Sequence, residues 1–396
     1  MREGWKQVRL NKFVWFQRGF DLPKAKFEEG VIPVYGSTSI LGYHNLAKVN
    51  APGIITGRSG TLGVMQYVQE DFWPHNTTLW VKDFKGNDER FAFYLLQCLD
   101  FKSFNSGGAV PTLNRNVLNS FVIDLPPLKT QYKIAAILSA YDDLIENNLK
   151  RIKLLEEQAQ QTYEEWFVRF KFPGYEDVEF DKVSGLPYDW EKVTLEELVS
   201  LQQGFALNKK SDHHISKEKT AFPLLKIGDL FNGTETLFVK DTIPKQFLVN
   251  ENEIIYSRTG QVGHAFMGRK GVIYNNCFRV TANDKIERLL LYYFLISSSI
   301  VETAKSLATG SAQPDLNHGA FKSIQINLPP IYIQKKFSIP MEKNLELIYN
   351  LQKQNKHLKE ARDILLPRLM SGMVDVDGLV VGEVLGMVAE ENTKYN

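Results

Sequence analysis

Cysteine is nearly absent: Cys98 and Cys277 are the only two in 396 residues. That excludes a disulfide framework and fits a reducing compartment. Neither cysteine has a second Cys or a His at metal-ligand spacing, so no zinc site is expected. Long apolar runs are lacking too. The longest, Leu289 to Val301, is broken by serines, whereas a bilayer span needs about 20 residues. Met1-Arg2-Glu3-Gly4-Trp5 has none of the apolar character of a secretory leader, so a soluble, cytoplasmic protein without membrane contact is the expectation. Net charge is scarce as well, at +1, which argues against indiscriminate coating of nucleic acid. A basic excess does sit in residues 1–130, and an acidic excess follows in 131–185, weak support for polyanion contact through the globular parts.

Catalytic motifs are missing. There is no phosphate-binding Gly-x-x-x-x-Gly-Lys-Ser/Thr loop and no His-Glu-x-x-His. His213-His214 sits in a polar stretch with no third ligand at suitable spacing. Pro314-Asp315 could open a nuclease-type carboxylate cluster, but no Asp/Glu-x-Lys follows. The Pro-Pro pairs lack the Asn/Asp and aromatic neighbours of an amino-methyltransferase tetrad. Two copies of a module without a catalytic set favour binding over turnover.

What is present is a duplication. Leu125-Pro126-Pro127 recurs as Leu328-Pro329-Pro330, and the loop Gly57–Gly63 recurs as Ser257–Gly263. This spacing far exceeds the about 20–50 residues of solenoid and propeller repeats. Three blocks align in order. Gly4–Leu10 with Gln17-Arg18-Gly19-Phe20 matches Asp189–Leu195 with Gln202-Gln203-Gly204-Phe205. The glycine loops follow, and then Gly108–Asn114 matches Ser311–Asn317. The second copy has gained residues, mainly near Lys209–Thr220, and between blocks the copies hardly agree. One fold reading two different ligands would show this pattern.

Each globular half reads as a mixed α+β module, mostly strands broken by Gly and Pro. Apolar spacing predicts helices over 89–101 and 286–305. A long helix follows each Pro-Pro pair, and residues 131–169 contain no Pro or Gly. Leu138, Tyr141, Ile145, Asn148, Ile152, Leu155, Ala159, Thr162 and Trp166 fall at alternating three- and four-residue steps, a heptad seam. Met341, Asn344, Ile348, Leu351, Asn355, Leu358, Arg362, Leu365 and Leu369 repeat it. An apolar stripe on each helix favours an antiparallel coiled coil holding the halves apart. The competing reading packs each helix on its own module. The division is then 1–128 and 186–330 for the modules, 129–185 for the first long helix and connector, 331–376 for the second, and 377–396 for a tail of unknown role.

The glycine loops carry Arg58, Ser59 and Thr61, and Arg258, Thr259 and Gln261. Glycine lets backbone approach a phosphate, and Arg binds phosphate or guanine with two prongs. Hairpin formation with a capping Arg accounts for the same residues. Asn114, Arg115, Gln313 and Asn317 suit base edges, but Asn and Pro also favour turns. Lys209 and Lys210 open the inserted stretch of the second copy.

Taken in order and twice over, these features resemble the specificity (S) subunit of type I restriction–modification systems. The resemblance rests on the Trp-x-x-Val-x-Leu openings, the Arg-Ser/Thr-Gly-x-x-Gly loops and the Pro-x-Leu-Asn blocks. It rests also on the Leu-Pro-Pro-x-x-x-Gln helix starts (Leu125 to Gln131, Leu328 to Gln334), Trp166-Phe167 with Phe172-Pro173-Gly174, and Leu366–Gly372. It implies two target recognition domains, each reading half of a split, asymmetric site in double-stranded DNA, with base contacts mainly in the non-repeating stretches, about 37–44 and 209–233. The paired helices would set the spacer and dock two methyltransferase (M) subunits. Those use S-adenosylmethionine, translocating restriction (R) subunits use ATP and Mg, and this chain binds no cofactor and catalyses nothing. The Val/Gly-rich tail after Val376 departs from the pattern. Two rivals stay open on the residues alone: a cryptic nuclease or methyltransferase, and a coiled-coil scaffold whose modules bind protein. A specificity chain of a related modification system is a further variant.

Overall fold

The computed structural model describes residues 4–59, 61–101, 112–113, 115–209, 211–310, 312–379 and 382. The chain divides into two compact units: Met1–Leu149 with Gln352–Asn396, and Lys150–Leu351. The division falls inside both long helices, so each unit holds one repeat and a stretch of each helix.

The same frame is built twice. In the first unit Lys6–Arg9 pairs antiparallel with Val122–Leu125. A four-stranded antiparallel sheet runs in the order Trp15–Arg18, Thr78–Asp83, Gly53–Gly57, Met65–Val68. In the second unit Glu191–Thr194 pairs with Gln325–Leu328. The matching sheet is Val199–Gln203, Cys277–Ala282, Ile254–Ser257, Ala265–Phe266. The Gln-x-Gly-Phe block is explained here. A Cβ on Gly19 would drive into the carbonyl of His75, and one on Gly204 into that of Tyr274. Only glycine lets those backbones meet.

The remaining sheet differs between the copies. Both contain a parallel pair, Ile32–Tyr35 with Trp73–Pro74 and Leu224–Leu225 with Gly271–Ile273. The third strand, Ile40–His44, flanks the earlier member of the pair in the first unit. In the second unit Leu248–Val249 flanks the later member. Between residues 209 and 239 the second copy also forms the helix Ile227–Asn232 and the pair Ile215–Ser216 with Phe238–Val239. Divergent sequence has become divergent architecture on a constant base.

Helix spacing overreaches at two places. The helix expected over 89–101 is Glu89–Gln97, capped by the Asp88 carboxylate accepting from Phe91 N–H at 2.7 Å. The chain then turns so that Phe101 enters the core against Phe16. The helix expected over 286–305 is two, Arg288–Ile296 and Ser298–Leu307. Ser297 is extended between them, and its hydroxyl donates to the Phe294 carbonyl at 2.7 Å. That local bond competes with the helical ladder.

The long helices span Leu128–Tyr163 and Ile331–Met370. Trp166 lies beyond the first, in a wider π-helical turn, Glu164–Val168. The start motif Leu-Pro-Pro-x-x-x-Gln has a physical job. The buried Gln131 side chain accepts from Asp88 N–H at 3.2 Å and donates to Asn87 Oδ1 and the Pro126 carbonyl. Gln334 repeats this: it accepts from Glu287 N–H at 2.8 Å and donates to the Lys285 and Pro329 carbonyls. Each glutamine ties the first turn of a long helix to the start of its module's own helix.

Pairing of the long helices is antiparallel within each unit. In the first, Asp142 meets Arg362 at 2.5 Å, and further along Asn148 donates to Asn355 Oδ1 at 3.0 Å. In the second, Ile152 shares a core with Ile348 and Leu351, while Tyr163 and Phe167 pack on Phe337. Leu138, Tyr141, Ile145, Ile152, Ile348, Leu351 and Leu358 are buried, and Leu155 and Leu365 are half-buried against the same cores. The asparagine pair is the polar layer of this seam, a device that fixes register. Asn148→Leu should cost about 1–2 kcal/mol, because the Asn355 carbonyl loses its donor. Adding Asn355→Leu should recover most of that loss. Urea unfolding of the two variants checks it.

Candidate nucleic-acid interface

The two glycine loops occupy equivalent places, and backbone hydrogen bonds prove it. Arg58 N–H donates to the Thr77 carbonyl, and Leu113 N–H donates to the Arg58 carbonyl, both at 2.8 Å. Arg258 N–H donates to Asn276, and Leu316 N–H to Arg258, both at 2.9 Å. Ser59 bridges Thr112 where Thr259 bridges Asp315. Each loop therefore sits at the end of its central strand and is zipped to the third repeated block.

The side chains do not match as the backbones do. Arg258 is engaged on all three nitrogens. Nε and NH2 donate to the two Asp315 oxygens at 3.1 and 2.5 Å, and NH1 donates to Gln203 Oε1 at 2.9 Å. Thr259 adds a hydroxyl donor to Asp315 at 2.5 Å. These bonds, the Arg258 guanidinium foremost, hold the Asp315 carboxyl below the usual carboxylate range. Burial, with Arg258 nearby, pushes His318 below the usual imidazole range. Among the described residues the Arg58 side chain instead makes one bond, NH1 to the Asn76 carbonyl at 3.2 Å. Among the described residues no carboxylate pairs with it. The Asn76 side chain donates to Asp21, which Arg18 pairs at 3.7 Å.

The other candidates take varied places. Ser59 receives the Ser37 hydroxyl on its carbonyl at 3.0 Å, and Thr61 is exposed beside it. The Arg115 guanidinium lies over the Trp15 ring, 5.6 Å from its centre. Gln261, Gln313 and Lys209 are exposed. Asn317 caps the helix His318–Lys322, its side chain accepting from Ala320 N–H at 2.8 Å. Asn114, Lys210 and most of the 377–396 tail lie outside the described residues. Sequence reasoning missed the two acceptors of Arg258. The signal was in the blocks: Asp315 replaces Thr112, and Gln203 replaces Arg18.

A family model described as the type I restriction modification DNA specificity domain matches residues 2–157 and again 187–360. The chain belongs to this specificity family. Among its relatives is the type I restriction enzyme MjaIX specificity subunit of Methanocaldococcus jannaschii. It is 28% identical over 290 residues, covering 70% of this chain and 66% of the relative. The HindI specificity subunit of Haemophilus influenzae is 26% identical over 341 residues, 67% and 72% of the respective chains. The chain thus spans about two-thirds of the length of these family members. The crystal structure of a type I S subunit from M. genitalium shares the fold, with a TM-score of 0.61 at 18% identity. That similarity covers 92% of this chain and 96% of the other. Two matches to one family model mean that the two repeats are two DNA specificity domains. No helix of the described residues is long and apolar enough to cross a membrane.

Proposed function

We propose that this chain is the DNA-reading subunit of a type I restriction–modification complex. Residues 1–128 and 186–330 each read one half of a split, asymmetric site in double-stranded DNA. The helices within 129–185 and 331–376 set the spacer and dock two methyltransferase subunits, and restriction subunits join that assembly. The chain itself catalyses no reaction. S-adenosylmethionine, ATP and Mg are used by the partners.

The observation that carries this reading is one frame built twice with different sheets upon it. A constant base suits partners common to every assembly. A strand moved to the other side of the parallel pair, and an added helix, alter the surface each module offers. Base edges in the major groove discriminate all four base pairs, so two such surfaces can read two unrelated half-sites.

Replacing residues 186–330 with the corresponding module of another family member, co-expressed with its methyltransferase subunits, should change one half of the methylated motif and leave the other half and the spacer intact. Methylome sequencing reads the outcome. Change in both halves, or methylation without sequence preference, would overturn the reading.

A further inference from the structure

The arginines of the two glycine loops are one residue in the duplication and two in the folded protein. Arg58 and Arg258 share backbone position, as their matching hydrogen bonds show. A guanidinium carries five N–H donors. Those of Arg258 face a two-pronged carboxylate and an amide oxygen, and its charge is cancelled on the spot. Asp315 is the reason, and it is specific to the second copy, since Thr112 at the matching bridge can carry no charge. Gln203 completes the change. It occupies the place of Arg18, takes over capping of the Asn275 carbonyl at 2.5 Å and offers its Oε1 to Arg258. In the first copy the Asn76 carbonyl is capped by Arg58 itself, through one longer bond. Asp21 is occupied by Arg18 and Asn76 rather than by Arg58.

We propose that the two arginines have parted in role: Arg58 contacts a DNA phosphate for the first module, while Arg258 is an internal strut joining the glycine loop to the third block of the second module. This rests on the DNA-reading function above. A phosphate supplies for Arg58 the two-pronged acceptor that Asp315 supplies for Arg258. The second module must then hold DNA through its exposed groups, Lys209, Gln261 and Gln313 among them. The half-sites are accordingly bound with unequal backbone grip at this position.

Salt dependence of binding separates the roles, because each phosphate contact releases counterions whatever the base sequence. The probe is a fluorescent random-sequence duplex titrated with the full chain across a range of KCl. Arg58→Ala should weaken binding and lower the slope of log K against log salt by about 1, with thermal stability unchanged. Arg258→Ala should lower the melting temperature, because it strands the Asp315 carboxylate. A further variant, Arg258→Met with Asp315→Leu, removes the charges together and guards against misfolding of the single one; its slope should be that of the unaltered chain. Asp315→Asn should raise affinity for the duplex by releasing the Arg258 charge. An unaltered slope in Arg58→Ala, or equal loss in Arg258→Met/Asp315→Leu, overturns the division of roles. Absence of any duplex binding by the unaltered chain at low salt overturns the DNA-reading function itself.

Discussion

Phe337→Ala should lower the unfolding free energy of the unit Lys150–Leu351 by about 3–5 kcal/mol, the usual cost of emptying a buried phenylalanine site. Phe337 is fully buried on the second long helix. Its ring meets Phe167 edge-on at 4.9 Å, Tyr293 at 5.6 Å, Trp166 at 5.9 Å and Tyr163 at 6.4 Å. One side chain therefore joins both long helices to the module helix Arg288–Ile296. The loss has two parts, the lost transfer of the ring and the cavity left behind. Collapse around that cavity is resisted because the neighbours are themselves large rings held by further rings, with Phe167 and Phe172 both on Trp190. Trp166 and Trp190 report the transition directly by fluorescence in urea. A loss under about 1 kcal/mol would mean that the cluster does not join these elements as described.

Gln334→Leu should cost about 2–4 kcal/mol, although leucine fills nearly the same space. The side chain is 1% exposed and serves three backbone groups: Glu287 N–H, Lys285 carbonyl and Pro329 carbonyl. Removing it strands these groups, and buried groups left without partners are penalised more than a made bond stabilises. Glu287 is the residue before the helix Arg288–Ile296, so the start of that helix loosens as well. Gln131→Leu should do the same in the first unit, through Asp88, Asn87 and Pro126. Matching losses in the two variants, each read by chemical unfolding, would establish the motif as a structural joint. A loss below about 1 kcal/mol in both would remove that explanation for the glutamine in Leu-Pro-Pro-x-x-x-Gln.

Much of this fold is legible in sequence because its elements are local. Heptad spacing reports a helix face directly, so Leu138 through Leu369 could be assigned to a seam before any contact was seen. The duplication reports itself by comparison of the chain with itself. The same spacing puts the asparagines at 148 and 355 on the seam, and their side chains do meet.

What resisted reading depends on partners distant along the chain. Nothing in Ser297 announces a break; its extended conformation arises where two module helices must part. Strand order beside the parallel pairs is set by long-range pairing, which leaves no periodic trace in a stretch as short as Leu248–Val249. The interface candidates divide in the same way. Arg58 and Arg258 are indistinguishable by motif, and Asn317 has the chemistry of a base reader until its side chain is seen capping a helix.

The sequence by itself therefore determined the duplication, the helical seam and the family, since each is a pattern of residue spacing along one chain. Tertiary structure alone decided which donors are already spent. Arg258 meets Asp315 across 57 positions, and a guanidinium so paired cannot be told from a free one until folding brings its acceptor within reach.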